Sequence, residues 1–303
     1  MNHINIKRIM GVIFFSTLFL FYLFPITYNL LPTPSSLPSA FAADWKELSG
    51  DHFRIYYTGE EKFAKDVSRS AEKYYKTIAV GIGYPRYDEF WTWDKRVKIY
   101  IFPDHDSYIK ASGMPAWSHG MADYTKKEIM SYLWSEMFLD SILPHEIAHL
   151  IFRDFVGFTG QIPLWLDEGV AQWAEEKKRA EVAMVAKQFY QEDKLLTMDD
   201  LMKLDITRFT DTNMVHFRPT ITKSGKPATI ILDTNALIST YYLVSVSLID
   251  FLIKRYGSDR FAEFCRQLRD GKSIEEALVF AYPTNITNLG DLEKKWREYL
   301  AQE

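Results

Sequence analysis

Two histidines four residues apart, His145 and His149 in "LPHEIAHLIF" (residues 143–152), bracket a glutamate that directly follows the first. On a helix the two imidazoles share one face and can reach one ion, while Glu146 sits about 100° round the axis, beside that ion. This placement suits a carboxylate that takes a proton from water held by the metal. Ser141 is expected to cap the helix, Pro144 is tolerated in its first turn, and Gly157 can end it. The rest of the stretch is apolar, so it reads as a core helix. Burying two histidines and a glutamate there costs free energy unless each has a partner. A metal ion supplies those partners at once; the bland reading is a pair of core histidines.

A catalytic zinc ion takes three protein ligands and keeps one position open. Cys265 is the only cysteine, so no internal disulfide or thiolate site is possible, and the ligands must be His, Asp or Glu. "PLWLDEGVAQW" offers Glu168, 19 residues after His149, just inside a helix begun by Pro163. A glycine inside a helix costs about 1 kcal/mol against alanine. Gly169 therefore asks for a reason, and close approach of this helix to the His-bearing one is sufficient; Ala171 keeps the same surface small. Asp167 reads as a dipole-stabilising carboxylate at the helix start rather than a group that orients a ligand. Gln172, one turn after Glu168, either holds a ligand or packs. His52, His105, His119 and His216 show no ligand spacing and read as ordinary surface or loop histidines.

The elements that must position these residues follow from periodicity. "HFRIYYTG" (52–59), "RVKIYIFP" (96–103) and "KEIMSYLW" (127–134) alternate as strands, the last preceded by the turn region "SHGMADYTKK". "EEKFAKDVSRSAEKYYKTIAVGIG" has helical spacing. With the His-bearing helix they predict an α+β fold, a small mixed sheet lobe over residues 43–160. Residues 161–303 predict a mainly helical lobe that supplies the third ligand. "PLWLDEGVAQWAEEKKRAEVAMVAKQF" reads as one long helical run, and "SIEEALVFAY" opens with a capping box from Ser273 to Glu276. The Thr-rich stretch 206–235, interrupted by "KSGKP", predicts a β-hairpin insertion or flap.

Residues 1–42 stand apart. Lys7 and Arg8 precede an apolar stretch, Pro/Ser-rich sequence follows, and Ala40 and Ala42 form a small-x-small cleavage pattern. Either an export signal or, since Ile9–Leu31 is long enough, an uncleaved anchor fits; both put the rest of the chain outside the cytoplasm, periplasmic, extracellular or membrane-anchored. A net charge of −4 leaves no electrostatic footprint for nucleic acid. Membrane contact is expected only through the N-terminal segment.

H-E-x-x-H followed by Glu168 in "W-L-x-E-G-x-A" resembles the glutamate-zincin metallopeptidases (gluzincins). The likeness is greatest to the bacterial peptidase-MA-like metallohydrolases and more distant to aminopeptidase N-type enzymes. "YYLVSVSLIDFLIKRYG", "LRDGKSIEEAL" and "LEKKWREYL" resemble the helices of that family, so the likeness covers most of residues 45–303, with the 206–235 insertion as a departure. The resemblance implies a zincin-like fold, a Zn2+ cofactor on His145, His149 and Glu168, Glu146 as general base, and Tyr242 as the helix-leading tyrosine of the family. It implies hydrolysis of a peptide or protein substrate, with the strand "KEIMSYLW" binding extended substrate backbone at a free edge. No "G-x-M-E-N"-type segment precedes the metal helix, which argues against aminopeptidase action. The rivals are a catalytically silent binding or assembly factor on the same scaffold at the cell envelope, and a membrane-tethered structural protein with fortuitous histidines.

Overall fold

The computed structural model describes residues 45–84, 91–116, 118–133, 138–157, 162–209, 211 and 214–302; residues 1–42, read as an export signal or an anchor, lie outside them. The fold is mixed α+β. Five strands, β1 (Lys46–Ser49), β2 (Phe53–Tyr57), β3 (Val97–Phe102), β4 (Gly120–Asp123) and β5 (Glu128–Tyr132), form one sheet in the order β1-β2-β3-β5-β4. The three central strands β2, β3 and β5 run parallel, and β1 and β4 are antiparallel to their neighbours.

Alternation decides the two faces. Phe53, Ile55, Ile99 and Ile129 point to the main core, where α1 (Glu61–Gly81) presents Val67, Ala71, Tyr75 and Ile78. The opposite face carries Tyr100, Phe102, Met130 and Tyr132 under Tyr108 and Ala111 of α2 (His105–Ser112). The His-bearing helix, α3 (Leu143–Val156), belongs to the main core and is buried along nearly its whole length.

Downstream come α4 (Leu164–Trp173), α5 (Glu176–Gln191), α6 (Met198–Lys203), the hairpin β6 (Val215–Ile221) and β7 (Pro227–Asp233), α7 (Thr234–Tyr256), α8 (Ser258–Arg269), α9 (Ile274–Ala281) and α10 (Leu289–Gln302). The hairpin falls where turn chemistry puts it, and the capping box at Ser273 and Glu276 is formed on both sides. By length and composition α7 is the one helix among the described residues that could cross a membrane, yet 83% of its apolar window is buried within the fold. It is the core helix on which the others pack. One continuous core runs from Phe53 to Leu300.

Four expectations change. "KEIMSYLW" forms β5, but β5 is paired on both sides; the edge belongs to β4, inside the segment read as a turn. A Cβ on Gly120 would come within 2.5 Å of Ile142 Cγ2, so glycine lets this edge strand press on the entry to α3. Gly169 does permit a close approach, but to α7: a Cβ there would lie 2.9 Å from both the Ser245 carbonyl oxygen and Ile249 Cγ1. The long run after Pro163 is not one helix, for it breaks between α4 and α5 at Ala174 and Glu175. Ser141 does not cap α3. It lies in a π-helical turn (Phe138–Ile142), and its hydroxyl donates to Glu175 Oε2 instead.

Candidate metal centre

Helices α3 and α4 bring His145, His149 and Glu168 together, all buried, with one potential ligand atom from each lying within 4.8 Å of the others. The Nε2 atoms of the two histidines face each other at 3.2 Å, and Glu168 Oε2 lies 3.7 Å from one and 3.9 Å from the other.

The other ring nitrogens settle what these atoms present. His149 Nδ1 lies 3.1 Å from Asp167 Oδ1, and His145 Nδ1 lies 3.1 Å from Glu175 Oε1. Burial pushes the Asp167 carboxyl up, but His149 and Arg153 outweigh it and bring it down to about 2. Glu175 is likewise raised by burial and lowered further by Lys178 and His145. Both carboxylates are ionised and can only accept, so each imidazole donates from Nδ1. Each Nε2 is then left with a lone pair, and two lone pairs and a carboxylate converge on one point.

Such a convergence calls for a cation. Zn–N distances near 2.0–2.1 Å with tetrahedral angles put two ligand nitrogens about 3.3 Å apart, close to the separation found here. Glu168 needs only a few tenths of an ångström more. Charge points the same way. Glu146, Asp167, Glu168 and Glu175 are all buried; Arg153 pairs with Asp167, and Lys178 with Glu175. Burial raises both Glu146 and Glu168, and a divalent ion beside them would favour their charged forms. In the bare protein, burial, with Asp167 and Glu146 adding to it against His145, holds the Glu168 carboxyl up at about 8. The residues present fit a zinc ion.

Glu146 is wholly buried, and neither of its carboxylate oxygens has a hydrogen-bond partner among the described residues. Burial raises its carboxyl, with the two histidines opposing and Glu175 and Asp167 adding. An unpartnered buried carboxyl beside a ligand set is costly as structure alone.

Tyr241 and Tyr242 are both buried on α7 within the electrostatic reach of Glu168. Burial, then Glu168, then Tyr241 raise the Tyr242 hydroxyl well above the ordinary tyrosine range. The Tyr241 hydroxyl is raised by burial, Glu168 and Asp205, with a hydrogen bond to the Trp165 backbone opposing them.

Asp167, expected as a dipole carboxylate, instead holds His149 and accepts from Arg153 Nη2 at 2.6 Å. Gln172 is buried and makes no hydrogen bond to either histidine among the described residues. Its expected place is taken by Glu175, which no spacing rule singles out. The only local signal is a glutamate in the middle of a helical run, and that is normally a solvated position. His216 is neither surface nor ligand: it is buried on the hairpin, 3.0 Å from Thr234 Oγ1. His52 pairs with Glu72 and stacks on Tyr75. His105 and His119 lie together near Tyr132, on the far face of the sheet from the main core. Neither the family models nor the curated proteins compared with this sequence match it.

Proposed function

We propose that this chain is an exported zinc-dependent peptidase of the gluzincin type, resembling the peptidase-MA-like metallohydrolases in a zincin-like fold. One observation carries the reading: two imidazole lone pairs and a carboxylate converge beside a buried glutamate whose oxygens have no partner among the described residues.

His145, His149 and Glu168 would hold the ion. Bound there, zinc supplies Lewis-acid polarisation of a carbonyl and makes water acidic near neutral pH. The chain's own residues do the rest. Glu146 accepts a proton at its carboxylate from the attacking water and returns it to the leaving amine. Its burial keeps bulk water from competing for that proton. The Tyr242 hydroxyl donates toward negative charge developing on the carbonyl oxygen. Edge strand β4 offers main-chain groups to an extended peptide, a role that passes to it from β5. Tyr124, directly after β4, has its ring centroid 6.1 Å from that of His149, so a peptide on this edge runs toward the site.

A peptide-library digest with and without chelator, run on the wild-type chain and on Glu146→Gln, tests this. The expected result is cleavage by wild type alone, abolished by chelator. Zinc uptake without cleavage of any peptide would favour the silent binding factor instead.

A further inference from the structure

The two histidines are supported from different places. Asp167, which holds His149, is the immediate neighbour of Glu168, so α4 alone supplies the third ligand and the support for one histidine. The support for His145 lies beyond the break, at the start of α5. Glu175 is only 3% exposed, and its two carboxylate oxygens have separate partners. Oε2 accepts from the Ser141 hydroxyl and from Lys178 Nζ, and Lys178 also donates to Ser141 Oγ at 2.9 Å. With Oε2 so held, Oε1 is aimed at His145 Nδ1.

This arrangement also explains the helix break. No proline or glycine separates α4 from α5, yet Glu175 leaves the helical region with ψ at 77°. A continued helix would carry its carboxylate away from His145. We infer that Glu175 is a positioning residue, locked by Ser141 and Lys178, which fixes the Nδ1–H tautomer of His145 and so keeps its Nε2 lone pair on the metal side. Neutral imidazole otherwise favours the proton on Nε2, where it would block the ligand atom. Through Lys178 the seating of α5 becomes part of the metal affinity. The inference rests on the metal reading of the site but not on peptide hydrolysis.

The test measures zinc affinity of the full chain by chelator competition, together with the His145 tautomer by nitrogen NMR of the zinc-free protein. Glu175→Ala should weaken zinc 10- to 100-fold, the usual effect of losing a ligand's hydrogen-bond partner, and shift His145 to the Nε2–H form. Glu175→Gln has one acceptor oxygen, which the Lys178 ammonium claims, so it should be impaired like Ala. Glu175→Gln combined with Lys178→Met frees that oxygen for Nδ1–H and should recover part of both. An Ala variant with wild-type affinity, or with an unchanged tautomer, overturns the role; so does a Glu175→Gln/Lys178→Met variant no better than Glu175→Ala. If Glu175→Ala does not fold, Lys178→Met provides the reading: it should lower affinity in the same direction, and unchanged affinity overturns the lock. A wild-type chain that takes up no zinc contradicts the metal reading itself, whereas zinc uptake without hydrolysis leaves Glu175 in place.

Discussion

Two pairs of histidines lie at nearly the same separation in this fold. The rings of His145 and His149 are 4.8 Å apart, and those of His105 and His119 are 5.5 Å apart. Their chemistry differs. In the second pair His105 Nε2 donates to the Ser118 carbonyl at 2.9 Å, and His119 Nδ1 lies 2.7 Å from the Tyr132 hydroxyl. The metal-type cluster among the described residues is His145, His149 and Glu168 alone. In the first pair carboxylates accept hydrogen bonds from Nδ1–H, and the remaining nitrogens point at each other and at Glu168. Proximity alone does not make a metal centre. What distinguishes the first pair as a candidate is the direction of its lone pairs, together with a buried carboxyl aimed at the same point.

The contrast can be broken at several places. Glu168→Ala should have the largest effect, because it removes the anionic third ligand. Metal analysis should find no bound zinc, and peptide hydrolysis should vanish with it. Glu146→Gln should keep zinc and lower kcat by about 10²–10⁴, since the amide is nearly isosteric but cannot accept the proton. Turnover near wild type would make Glu146 structural. Tyr242→Phe should lower kcat by about 10²–10³ with zinc content unchanged, the usual loss for one oxyanion donor. If Tyr241→Phe shows that loss instead, the donor is the neighbouring tyrosine. Asp167→Asn should weaken zinc by about 10–100-fold in chelator competition, matching the support that Glu175 gives to the other histidine. The smallest effect sharpens the contrast from the other side. His105→Ala with His119→Ala should leave zinc stoichiometry and affinity unchanged, and a loss of zinc there would mean that a second site had been overlooked.

What was legible in the sequence follows the range of the interactions. The His helix, Glu168 and the strands β2, β3 and β5 show in local spacing, because 3.6- and 2-residue periods are local signals. The capping box and the hairpin are equally local. β4 is not, because "GMAD" is too short for its alternation to stand out, and it is a strand through pairing with β5. Gly169 announced a close approach but not its partner, since Ser245 and Ile249 lie some eighty residues on. Glu175 was the least visible. Lys178 is local to it, but His145 and Ser141, which its carboxylate reaches, lie about thirty residues back, outside any window around it. Asp167 was visible as a residue but not as a role, because Arg153 and His149 reach it from another helix.

The central claim is that the converging histidine pair is a metal centre. Native mass spectrometry of the full chain, metal-free and then supplied with zinc, tests it most directly. The expected result is one retained zinc per chain in wild type and none in His149→Ala, with His105→Ala behaving as wild type. No retained zinc in the wild-type chain, or equal retention after His149→Ala, would contradict it.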